Sequence, residues 1–218
     1  MTTVLALDLA TNSGYAVLDD TGVRAVGSWR LDDGIRKTAT KSIPAVPIND
    51  QHVIQCQRLR RWIGDILQRF EIDFVVIEKD TGRFASAVLL ARLQAAAHEA
   101  AYDARVPSVI SRLGDWRGRI HGAGYLNDKD FLKDEARRIC AVDGVAVPDA
   151  DAAEAYLIGK DAHAYGLDAL RSDEKETKKQ KQRKAVKARK VAREAVKAAV
   201  LEAKMRAPSA PRIRRKAA

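Results

Sequence analysis

Apolar positions along this chain change period several times, and each change marks an element. Val4, Leu5, Ala6 and Leu7 form an unbroken apolar run of the kind that fills a buried strand, and Asp8 closes it. Thr11, Asn12, Ser13 and Gly14 spell a tight turn. YAVLDD then resumes as a second strand, breaks at Thr21-Gly22, and VRAVGSWRL follows as a third. Asp33 to Asp50, rich in Gly, Pro, Lys and Thr, reads as an exposed loop. Over 51–70 the spacing becomes helical, with Val53, Ile54, Leu59, Trp62, Ile63, Ile66, Leu67 and Phe70 on one broad face. Asp73 to Glu78 returns to a buried strand that ends in a carboxylate, and Asp80 to Phe84 is a turn containing Gly82. An Ala/Leu-rich helix is expected over 85–104, and Val106 to Ile110 is a short inner strand. Residues 112–128, with four glycines, read as irregular. A helix follows over 129–141, capped by Asn127 or Asp128. Pro148-Asp149 opens the last helix of the body, 150–165, whose Ala152, Ala155, Gly159 and Ala162 make a small-residue face for close packing.

The order β-β-β-α-β-α-β-α-α predicts a mixed sheet with helices on its faces, an α/β class. A hydrophobic content of 46% over 218 residues supplies a core for one domain plus an appendage. No run approaches the roughly 20 apolar residues that span a bilayer. MTTVLALDLA lacks a charged leader region and enters a strand at once, so no signal peptide is expected. Cys56 and Cys140 fall inside predicted helices as buried fillers, which suits a reducing compartment. The net charge of +10 divides unevenly. Residues 171–218 carry 18 basic against 5 acidic side chains, leaving 21 against 24 in residues 1–170. A near-neutral body over 1–170 and a basic tail over 171–218 are therefore expected, the tail helical where Ala recurs every three or four residues and disordered at its end. That asymmetry points to a polyanionic partner.

Four acidic residues, at three places in the chain, follow or open a buried element. Asp8 lies in the first strand, Glu78 ends FVVI, and Asp151 and Glu154 share one face of the last helix at i, i+3 spacing. An intrastrand carboxylate needs a cation or hydrogen-bond partner, and Lys79 is the plain alternative to a metal. If the first and fourth strands are neighbours and the last helix packs over them, all four acids converge. Their mutual repulsion is relieved by divalent cations, and two metals about 3.5–4 Å apart are a standard means of cleaving a phosphodiester. Oxygen ligands without a His/Cys cluster favour Mg²⁺ or Mn²⁺ over zinc. Asp149 reads as a helix N-cap rather than a ligand. His98, His121 and His163 are scattered and carry no expected role.

LALDLATNSGYAV, FVVIEK and DADAAEAYLIG together resemble the RuvC-type Holliday-junction resolvases of the RNase H-like superfamily. The resemblance covers residues 3–166 and rests on the joint order of short motifs. It implies an RNase H-like mixed five-stranded sheet flanked by helices. It also implies an endonuclease that resolves four-way DNA junctions, with Asp8, Glu78, Asp151 and Glu154 holding two Mg²⁺ or Mn²⁺ ions. The last acid is Glu154 where the family usually has Asp. Helix 85–104 is similar to the family's dimer-interface helix, implying a homodimer, and its Val88, Leu89, Leu90, Leu93 and Ala96 exceed what one side of the sheet covers. WRGRIHGAGYLNDKDFLK follows where the family contacts phosphates, which marks Arg117, Arg119, Lys129 and Lys133. Arg83 and Phe84, in the loop after Glu78, are expected at the DNA, Phe84 as a wedge. A cytoplasmic setting, bacterial or phage-encoded, fits such an enzyme. Other RNase H-like nucleases, acting on branched DNA or RNA–DNA hybrids, and a non-catalytic DNA-binding protein of the same fold are the alternatives. Actin-like ATPases share the strand-one Asp but need phosphate-binding loops that are not found in this sequence.

Overall fold

The protein is described from a computed structural model covering residues 2–40, 43–79, 85–122, 128–172 and residue 186. The chain divides into two units, Met1–Glu174 and Lys175–Ala218, and the first carries the fold described below. The expected helical and disordered parts of the tail lie outside the described residues, as do Arg83, Phe84 and Asn127.

Five strands make one sheet: β1 (Val4–Asp8), β2 (Asn12–Asp19), β3 (Gly22–Arg30), β4 (Phe74–Glu78) and β5 (Ser108–Ser111). Their order is β3-β2-β1-β4-β5. The first three form an antiparallel meander, while β4 and β5 add in parallel to β1. The α-helices are α1 (Ile48–Arg69), α2 (Ala85–Asp103), α3 (Leu113–His121), α4 (Lys129–Val142) and α5 (Ala150–Tyr165). A parallel neighbour needs a crossover helix, which α1 supplies between β3 and β4 and α2 between β4 and β5.

Strand periodicity decides which side chains face which layer. Leu5 and Leu7 of β1, Val17 of β2, and Val75 and Ile77 of β4 pack with Leu59 and Ile63 of α1 and Leu93 and Ala97 of α2. Val4, Ala6, Ala16, Leu18, Phe74, Val76 and Val109 face the other way, against Ala153, Ala155, Leu157 and Ile158 of α5, Trp116 of α3 and Ala136 of α4. The small-residue face of α5 lets it lie close on the sheet, with Gly159 directly over Leu18 and Ala6. Asp8 and Glu78 are the next residues of the set facing α5, so alternation alone aims both carboxylates at that helix. In α2, Leu93, Ala96, Ala97, Ala100 and Ala101 are buried, Leu89 and Leu90 are half-buried, and Val88 is exposed.

Two expectations need correction. Residues 11–14 are not the turn: β2 begins at Asn12, and Asn12 to Gly14 pair with β3. The reversal falls earlier, where the Ser13 hydroxyl donates to Ala10 O at 2.6 Å and accepts from Ala10 N at 3.1 Å. A buried side-chain hydroxyl thus replaces the backbone turn that the polar composition suggested. Residues 112–128 are not wholly irregular either, because α3 occupies Leu113–His121. Leu113, Trp116 and Ile120 recur at helical spacing and point into the core, while Gly114 and Gly118 sit on the outer side with nothing near them.

Candidate active site

The site lies where the carboxyl ends of β1 and β4 meet the amino end of α5. Asp149 is the N-cap of α5, its Oδ1 accepting from Ala152 N at 2.9 Å, as expected from the sequence. Asp151 and Glu154 follow in the first turns and project toward Asp8. Each of Asp8, Asp151 and Glu154 offers one ligand oxygen, and these oxygens all lie within 4.8 Å of one another. Asp8 and Glu154 are buried and Asp151 is partly so.

Glu78 reaches the same place from β4. Its Oε1 accepts from the Trp116 indole at 2.9 Å, and its carboxylate is close enough to Asp8 for the two to influence each other's charge. Burial pushes the Asp8 carboxyl well above the ordinary value of 3.8, and the charges of Glu78, Glu154 and Asp151 push it further. Glu78 is also raised, by burial first, with the Trp116 hydrogen bond opposing. Burial and like charge thus both work against the ionised form of Asp8.

Two basic side chains enter the cluster. Arg117 Nη2 donates to Glu154 Oε1 at 2.5 Å, and Lys133 Nζ donates to Asp151 Oδ1 at 2.8 Å. Burial depresses the Lys133 ammonium, but the Asp151 carboxylate outweighs it and the net shift is upward. The other expected DNA contacts are placed differently. Lys129 begins α4 on the exposed surface. Arg119 holds buried Asp161 through two bonds, at 2.6 and 2.7 Å, and its guanidinium lies 4.2 Å from the Tyr165 ring centre. An arginine so committed secures α3 to α5.

Asn12, read as a turn residue from the sequence, belongs to the site. Its amide donates to Asp151 Oδ2 at 2.7 Å and to Asp149 Oδ2 at 3.1 Å, while Ser28 donates to the same Asp149 oxygen at 2.5 Å. Burial works against the Asp149 charge, yet the bonds from Ser28, Ala152 N and Asn12 bring its pKa below the ordinary value. Beside Asn12, Gly14 lies so close to Asp151 that a Cβ would overlap the Asp151 carbonyl. Trp116 was likewise missed, though the spacing of Leu113, Trp116 and Ile120 is a helical signal within a glycine-rich stretch.

The donor set suits a hard divalent cation. It consists of carboxylate oxygens, it is buried, and it gathers charge that a cation would neutralise. The described residues contain no helix long and apolar enough to cross a membrane.

No protein-family model matches the sequence, and no curated protein matches it significantly. Solved structures do match. Thermus thermophilus RuvC in complex with a Holliday junction substrate aligns with TM-score 0.55 at 16% identity, covering 76% of this chain and 94% of its own. The T. thermophilus RuvC structure aligns with TM-score 0.53 at 18% identity, covering 75% of this chain and 95% of its own. With a β3-β2-β1-β4-β5 sheet, helices on both faces and this overlap, the chain has the RNase H-like fold of those RuvC structures.

Proposed function

We propose that this chain is a metal-dependent endonuclease that cuts four-way DNA junctions. The observation that carries the reading is the convergence of Asp8, Asp151 and Glu154, with Glu78 near enough to raise the Asp8 carboxyl, where the carboxyl ends of two adjacent parallel strands meet the start of α5. Asp8 and Glu78 are buried and their carboxyls are raised, and acids gathered and perturbed in this way are a mark of functional sites. Asp8, Glu78, Asp151 and Glu154 would hold two Mg²⁺ or Mn²⁺ ions. Such ions, when bound, activate water and stabilise the leaving oxygen of a phosphodiester. The chain's own residues orient that chemistry: Trp116 holds Glu78, Asn12 holds Asp151, and the Asp149 cap fixes the first turn of α5.

The substrate class draws support from the neighbour whose structure contains a Holliday junction. Resolving such a junction takes two nicks related by two-fold symmetry, which a homodimer meets most simply. The half-exposed amino-terminal end of α2, at Val88, is the surface we assign to that contact. We assign Arg117 and Lys133, which pair with the acids of the site, to the phosphates of the substrate, and Lys129, Arg83 and Phe84 to the DNA as well. The basic residues of 171–218 would add affinity without shape selectivity, through counterion release.

The test is incubation of the purified protein with labelled four-way junction, linear duplex and RNA–DNA hybrid in Mg²⁺. Paired nicks in the junction, absent with EDTA, are expected. Cleavage of the hybrid in preference to the junction would move the chain to another branch of the fold's nucleases. Junction binding with no cleavage of any substrate would make it a DNA-binding protein.

A further inference from the structure

The site already contains cations, and they are side chains. Arg117 comes from α3 and Lys133 from α4, and each ends on a different acid of α5, Glu154 at 2.5 Å and Asp151 at 2.8 Å. Both acids belong to the set whose oxygens lie within 4.8 Å of one another. A divalent ion drawing ligands from that set competes with the guanidinium and the ammonium for the same two carboxylates. Arg117 is also incompletely satisfied where it stands: its Nε is buried and has no hydrogen-bond partner. A buried donor left unpaired is costly, so a second position offering a phosphate oxygen would favour departure.

We propose that metal entry and the release of Arg117 and Lys133 are a single exchange. The divalent ion takes the carboxylates and frees two side-chain cations, which turn to phosphate oxygens of the incoming strand. Metal and DNA then bind with positive coupling, because each removes what competes with the other, and such coupling is reciprocal. An acidic site in this arrangement stays charge-compensated without its ions, and becomes a phosphate-binding site as it loads. The proposal rests on the metal-dependent nuclease reading and adds the order of charges within that same site.

The test reads binding, not turnover. Mn²⁺ is titrated into the full chain without DNA, by calorimetry or by electron paramagnetic resonance of the free ion. Wild type is compared with Lys133→Gln and Lys133→Met. Lys133 is partly exposed on α4, so either variant should fold, and Met preserves the packing of the stem. Removing one positive charge close to the ion should tighten Mn²⁺ binding about tenfold in both variants. Junction affinity is then measured with Ca²⁺ and with EDTA. The gain that Ca²⁺ gives wild type should shrink at least about threefold in the variants, since one released cation is missing. A structural ion pair predicts the opposite for the metal: Asp151 loses a partner and Mn²⁺ binds equally or more weakly. That outcome in both variants overturns the exchange while leaving the metal reading intact. Failure of wild type to bind Mn²⁺ at all overturns the metal reading, and the exchange with it.

Discussion

Asp8 and Asp19 end adjacent strands at opposite ends of the sheet, and both are almost fully buried, with 8% and 5% exposure. Their surroundings differ completely. Asp19 accepts from the Thr21 hydroxyl at 2.5 Å, the Thr21 amide at 2.8 Å and Arg24 at 2.7 Å. The Thr21 hydroxyl chiefly, with Arg24, pulls its pKa down to about 2. Asp8 is surrounded by Glu78, Glu154 and Asp151, and its pKa rises. This chain therefore can satisfy a buried strand-end carboxylate with two nearby residues. Where it gathers acids instead, burial and like charge work against the ionised form of Asp8, which is what the proposed metal site would relieve.

The largest expected effect separates the two ends outright. Asp8→Asn should slow junction cleavage by roughly 10³ or more, the loss of a metal contact worth about 4 kcal/mol, while leaving junction binding in EDTA intact. Asp19→Asn should leave the cleavage rate of folded protein unchanged and lower the unfolding midpoint. Gel assays under single-turnover conditions and thermal melts read the pair. Equal loss of cleavage in both variants would erase the distinction.

Packing gives the next test. Gly14→Ala forces a Cβ into the Asp151 carbonyl, backbone that cannot yield, so it should cost about 1–3 kcal/mol and weaken Mn²⁺ binding as α5 shifts. Gly22→Ala at the Asp19 end meets no atom within 4 Å, and strains only its own φ of 121°. It should destabilise without touching the metal. Calorimetric titration of both variants measures the difference, and equal metal affinities would show that α5 is not held by this contact.

Asn12→Ala removes the amide that orients Asp151 and should lower metal affinity or cleavage by about 10- to 100-fold, with little change in the melt. Thr21→Val at the other end should change only the melt. A destabilised but fully active Asn12→Ala would make Asn12 structural alone.

The smallest effect is in pH dependence, and its sign differs between the two ends. The folded pKa of Asp19 lies below 3.8, so its stabilisation is present above that value and is lost as pH falls toward about 2. The folded pKa of Asp8 lies above 3.8, so its cost is absent below that value and grows as pH rises through the folded pKa. Urea unfolding in EDTA from about pH 3 to about pH 8 should show Asp8→Asn gaining on wild type toward high pH, and Asp19→Asn losing most there. Parallel curves for wild type and Asp8→Asn would mean that Asp8 is not perturbed.

Much of this was legible in the sequence, because it depends on local pattern. The apolar run Val4–Leu7 and the strand at Val75–Ile77 carry their own burial, and the acid closing each run marks itself as out of place. The helix at 150–165 was legible from its cap, its small residues and its i, i+3 acids, since helical period and capping are properties of a few neighbouring residues. The resemblance in motif order led to the RNase H-like sheet, which the structure bears out. What sequence could not supply was anything made by contacts across the chain. Asn12 looked like a turn residue because its composition is turn-like, and only the approach of α5, 139 residues later, shows its amide on Asp151. Trp116 lay hidden among glycines until packing put its indole on Glu78. Arg117 and Arg119 sit two residues apart and read alike as expected phosphate contacts. The turn of α3 sends one to Glu154 in the site and the other to Asp161 beneath it. Period and propensity act over neighbouring residues, so sequence determined the elements and their acids. Ion pairs and orienting hydrogen bonds depend on which helix face meets which strand end, so only the tertiary structure decided them.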